Sequence, residues 1–121
     1  MTNDFSQVYQ ELKSILKESE PYTIVKIDND REYSMNSSSN PRTKGEGFFG
    51  AVQIRKEYVS YHLMPVYVYP ELLENTSESL KKRMQGKSCF NFKKVDSELF
   101  QELQELTQKG FEKYTQHGWF P

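Results

Sequence analysis

Between Phe48 and Leu63 every second side chain is apolar or glycine, first along Phe48, Gly50, Val52 and Ile54 and again along Val59, Tyr61 and Leu63. A period of two marks strands that lay one face on a core. With Lys56 and Glu57 as the turn, the pattern predicts one long β-hairpin from Phe48 to Tyr69, in which Ile54 faces Val59, Val52 faces Tyr61 and Gly50 faces Leu63. The other face then pairs Arg55 with Tyr58, Gln53 with Ser60, Ala51 with His62 and Phe49 with Met64. These are polar, small and soft groups, where a sheet buried under a helix carries mainly aliphatic ones.

The flanking segments change period. Phe5, Val8, Tyr9, Leu12, Ile15 and Leu16 recur at steps of three and four, which predicts an amphipathic helix of about four turns, capped by Asp4 and stopped by Pro21. Tyr22 to Asp28 and Arg31 to Asn36 read as two strands joined at Asp28-Asn29-Asp30. From Asn36 to Gly47 there is no periodicity, but serine, asparagine, threonine, proline and glycine among charges, so this segment is expected to be a mobile loop. Pro70 to Glu74 predicts a short helical turn. A second, capped at Thr76 or Ser77 and ending at Gly86, turns Leu80 and Met84 inward. Ser88 to Lys94 alternates as a fifth strand, and Asp96 opens a final helix with Leu99, Leu103, Leu106 and Phe111 on its inner stripe. Helices at both ends of a run of about five strands predict a single α+β domain over residues 1–121, an antiparallel sheet packed by the N-terminal and C-terminal helices.

Composition sharpens this picture. Eight Phe, eight Tyr and one Trp must supply much of the buried area, so the core is expected to be rich in aromatic rings. No apolar run approaches the roughly 18 residues of a membrane span, and Met1 to Gln10 lacks the apolar stretch of a signal peptide, which sets a cytoplasmic expectation and no membrane partner. One cysteine, Cys89, excludes an internal disulfide. A formal charge of -1 gives no whole-molecule case for nucleic acid.

Candidate chemistry is sparse. His62 has no second ligand at metal spacing and reads as a hydrogen-bonded structural histidine, while His117, near the end of the sequence, reads as solvated. A nucleophilic Cys89 needs a base that only His62 or His117 can provide. Tyr58, Tyr61, Tyr67 and Tyr69 read as sheet packing rather than as a stacking platform for bases. Lys81, Lys82, Arg83, Lys87, Lys93 and Lys94 form a run without a carboxylate, which we expect to balance Asp96, Glu98, Glu102 and Glu105 of the last helix.

The run Phe48 to Arg55, then Tyr58 to Pro65, then Gly86 to Lys93 resembles the YdhG-like family of domains of unknown function. The similarity covers about the last three-quarters of the chain. It implies a small bacterial α+β domain with an opening helix, a largely antiparallel sheet and a closing helix, and, since some members have been likened to frataxin, weak iron binding or delivery as an alternative function. On this chain the carboxylates in the corresponding region are Glu11, Glu18, Asp28, Asp30 and Glu32, interleaved with Lys13, Lys17, Lys26 and Arg31.

No dyad, triad or phosphate loop can be assembled from spacing, so no catalytic residue is assigned. The leading expectation is a non-catalytic module that binds a small molecule or a protein, without a cofactor. Its site is the hairpin face of Gln53, Ser60, His62 and Met64, roofed by the loop from Asn36 to Gly47.

Overall fold

The computed structural model describes residues 5–43 and 45–120. Five strands, β1 (Ile24–Asp28), β2 (Glu32–Ser37), β3 (Gly47–Ile54), β4 (Val59–Leu63) and β5 (Cys89–Phe92), form one antiparallel sheet in chain order. The helices are α1 (Phe5–Lys17), the short α2 (Met64–Val68) and α3 (Glu78–Lys81), and α4 (Ser97–Gln116). The chain is the expected α+β domain with helices near both termini. The expected cap at Asp4 lies outside the described residues.

α1 lies on β3 and β4, and α4 packs against α1, α2 and α3 on the same side. The buried stripe of α1 is Val8, Tyr9, Leu12, Ile15 and Leu16, as its period requires. The expected stripe of α4 is buried at Leu99, Leu103 and Leu106 and only partly at Phe111. Asp96 caps α4 by accepting from the Leu99 amide at 3.1 Å, and Ser77 caps α3 in the same way through the Leu80 amide.

The core is aromatic, and its hydroxyls are satisfied. Tyr9 donates to the carbonyl of Asn29, Tyr33 to the Glu20 carboxylate and Tyr114 to the carbonyl of Phe48. Thr107 gives its single proton to the Leu103 carbonyl at 2.8 Å, so Tyr61 must be the donor in the 2.6 Å contact between them. Burial pushes the Tyr61 phenol well above its ordinary range and holds it neutral in that donor role. Beyond α4 the chain turns at Gly118, whose φ of 87° suits glycine, and tucks Trp119 and Phe120 under the sheet. Trp119 stacks on Tyr114 with ring centroids 4.2 Å apart. Gly47 is required there, because a Cβ at that position would stand 2.5 Å from the indole.

The central hairpin has the expected turn and register: Ile54–Val59, Val52–Tyr61, Gly50–Leu63, Ala51–His62 and Gln53–Ser60 are all partners. Two features differ from expectation. The hairpin ends at Leu63 rather than Tyr69, since Pro65 has no amide for the ladder and instead sits in the first turn of α2. Phe49 also leaves the face assigned to it. A register shift between Met35 and Asn36 inserts an extra residue in β3, so Phe49 and Gly50 both point to the core, where Phe49 meets Phe111, Tyr114 and Phe120 edge-on. Two further elements are shorter than expected. β1 starts at Ile24 because Glu20–Tyr22 forms a 3₁₀ turn, and α3 stops at Lys81 because Arg83 to Gln85 pair with β5 instead.

The loop after β2 is only partly tied down. The Ser39 amide donates to the Trp119 carbonyl, and the Asn40 side chain accepts from the Arg42 amide. Arg42 itself is exposed, so the first internal tryptic cut is expected after it. First cuts within α1, α4 or the central hairpin would contradict this arrangement.

Candidate functional site

Among the described residues, no helix packs on the second face of the sheet. Direct partners in an antiparallel ladder share a face, so Ile27, Ser34, Ala51, His62 and Cys89 form one row across it. Glu32, Gln53, Ser60 and Asn91 form the next. Ala51 and Ser60 are short and almost fully buried, although no helix among the described residues lies above them. His62, Gln53, Cys89 and Asn91 are half-buried.

The polar groups form two hydrogen-bonded chains. In one, Arg55 donates to Gln53 and the Gln53 amide donates to Glu32 at 2.8 Å. In the other, Ser60 Oγ lies 3.3 Å and Cys89 Sγ 3.9 Å from His62 Nε2, the thiol donates to Asn91 Oδ1 at 3.2 Å, and Asn91 Nδ2 donates to Gln85 at 2.7 Å. The thiol and imidazole do meet, but their electrostatics do not activate a nucleophile. Burial pushes the Cys89 thiol up. Burial, reinforced by the charge of Arg55, pushes the His62 imidazole down against a smaller pull from Glu32. Both groups are therefore neutral near pH 7, the reverse of a thiolate–imidazolium pair.

The His62 shift has a sign that can be measured. Its folded imidazole takes up a proton at lower pH than the ordinary value of 6.5, so between that folded midpoint and 6.5 the unfolded chain binds more protons. Stability therefore falls as pH drops below 6.5 and levels off below the folded midpoint. An NMR titration is expected to place the His62 midpoint below 6.5, and His62→Gln to flatten that part of the pH–stability curve. A midpoint at or above 6.5 would contradict the burial.

Of the expected pocket residues, Gln53, Ser60 and His62 share the face, whereas Met64 opens α2 and lies outside the ladder. The described residues of the loop do not roof them through their polar contacts. Ser39 bonds to Trp119, and Glu46 reaches Asn36 and Lys26, at the end of the sheet where β3 begins. Gln53 is six residues further along, roughly 20 Å by strand rise. Period-two reasoning across the second hairpin and β5 misses Ser34, Cys89 and Asn91 as neighbours of His62, because strand order is not written in spacing.

The five carboxylates of the iron alternative are not gathered. Glu11 accepts from Gln7, Glu18 from Gln104, Asp28 from Lys13 at 2.6 Å and Glu32 from Gln53, while Asp30 sits exposed in the β1–β2 turn. Among the described residues, no group of three or more His, Cys, Asp or Glu side chains stands close enough to hold a metal ion. His117 is exposed, as expected, and its ring stacks on Tyr69 at 4.7 Å. No helix among the described residues is long and apolar enough to cross a membrane. No protein-family model matches the chain, and no curated protein or solved structure matches it significantly.

Proposed function

We propose that this chain is a non-catalytic binding module whose ligand surface is the helix-free face of the sheet around Gln53, Ser60 and His62, extended by Cys89 and Asn91. The carrying observation is the pairing of a helix-free sheet centre with two continuous side-chain hydrogen-bond chains. Sheets whose second face has no role need only separate solvated side chains, whereas this face fixes donors, acceptors and a neutral imidazole in place before any ligand arrives, which lowers the entropy cost of binding. The resemblance to YdhG-like domains is part of this proposal and rests on the same hairpin and on Gly86 to Lys93.

A fragment screen followed by NMR tests it. Hits are expected to move the His62 ring and the Gln53 and Asn91 side-chain amides together, since they share one surface. Hits confined to the helical layer would overturn the reading.

A further inference from the structure

The basic run has a place in the fold that balancing the last helix does not explain. Among the described residues, Lys81 alone of its six cations is ion-paired, with Glu78 in its own helix. Asp96, Glu98, Glu102 and Glu105 make no ion pair with the run, and Glu102 is instead held by the amide and hydroxyl of Ser77 at 2.7 and 2.6 Å. Lys82 and Arg83 do border a cleft that Asp96 and Glu98 also line, at a separation beyond ion-pair contact. On their other side they turn to a different partner set.

There, Lys82, Arg83 and Lys93 line a cavity of about 440 Å³ that has no carboxylate in its wall. Tyr58 and Met84 give it an apolar side, and the side-chain amides of Gln85 and Asn91, bonded to each other at 2.7 Å, give it a polar floor. The backbone fixes this shape: the Asn91 amide donates to the Arg83 carbonyl and the Gln85 amide to the Cys89 carbonyl, so the segment carrying two of the cations is laced to β5. The volume lies within the range of small-molecule sites. Three unpaired cations around one concave wall focus a positive potential on it.

We propose that this cavity binds a small phosphorylated molecule, with its phosphate held by Lys82, Arg83 and Lys93 and its neutral part lying on Tyr58 and Met84. Arg83 offers the planar fork that suits phosphate oxygens, and the two lysines supply charge. The proposal deepens the binding reading above, because Asn91 belongs both to the cavity wall and to the hydrogen-bond chain that reaches His62.

Titration with inorganic pyrophosphate and with phenyl phosphate, followed by NMR, tests it. Saturable shifts are expected at the Tyr58 ring and at the Gln85 and Asn91 side-chain amides, with phenyl phosphate moving Tyr58 further. Arg83→Gln and Lys93→Gln are each expected to weaken binding by about tenfold, the loss of one charge-assisted contact. Lys56→Gln, in the exposed hairpin turn, should leave it unchanged. All three substituted positions are exposed, so folding is not at risk, and the amide spectrum of each variant verifies it. Linear, unsaturable shifts at every lysine, equal weakening by Lys56→Gln, or tighter binding of a hexaglutamate peptide than of pyrophosphate would overturn the proposal. Neutral fragments that still move Gln53 and His62 in that event would leave the sheet-face reading standing, and their absence would remove both.

Discussion

Replacing Leu103 with alanine will lower the free energy of unfolding by about 2–5 kcal/mol. Leu103 is fully buried at the middle of the inner stripe of α4. Its carbonyl also receives the Thr107 hydroxyl that orients Tyr61, so the helix is tied to β4 at this level by packing and by a buried polar pair. Alanine keeps the carbonyl and removes the packing, which isolates the cavity cost from the hydrogen bonds. Urea denaturation measures the change through the midpoint at unchanged slope. A midpoint equal to that of the parent chain would show that α4 does not close the core.

Phe49→Ala will cost about 3–5 kcal/mol, for a reason the alternating pattern alone does not supply. On the second face of the hairpin, where strict alternation puts it, Phe49 would be a surface residue, and its loss would fall within about 0.5 kcal/mol. The bulge turns it inward, to full burial beneath Phe111, Tyr114 and Phe120. The two placements differ severalfold in predicted cost, so one denaturation curve separates them. A loss under 1 kcal/mol would put Phe49 back on the open face.

That contrast shows where sequence pattern is informative. Periodicity identifies α1, the turn at Lys56 and Glu57, the register of the central hairpin and the cap at Asp96, because each depends on neighbours within a few positions. It does not reveal the bulge at Phe49, which is set by the partner strand β2, nor the folding of Trp119 and Phe120 beneath Gly47, which joins the two ends of a long stretch of chain. Pro65 is a local signal that the hairpin should stop, and it outweighs the apolar run from Val66 to Tyr69 that suggests a longer strand. For the site, Gln53, Ser60 and His62 are legible because they lie on two strands joined by a tight turn. Cys89 and Asn91 are legible only once β5 is known to pair with β4, and Lys82, Arg83 and Lys93 gather at one wall only because Arg83 to Gln85 fold back on β5.

The central claim is that the helix-free face of the sheet is the binding surface. Ala51 sits in its middle row, beside Ser34 and His62; it is almost fully buried, and among the described residues no helix stands above it, so a longer side chain there must rise out of the face. The most direct measurement is therefore the affinity of the best fragment for the parent chain and for Ala51→Arg, with Gln53→Ala as a milder companion and the thermal midpoint of each recorded alongside. The predicted result is a loss of tenfold or about 1.4 kcal/mol in Ala51→Arg, a smaller loss in Gln53→Ala, and a core whose aromatic signals are unmoved. Undiminished affinity in a folded Ala51→Arg would contradict the claim.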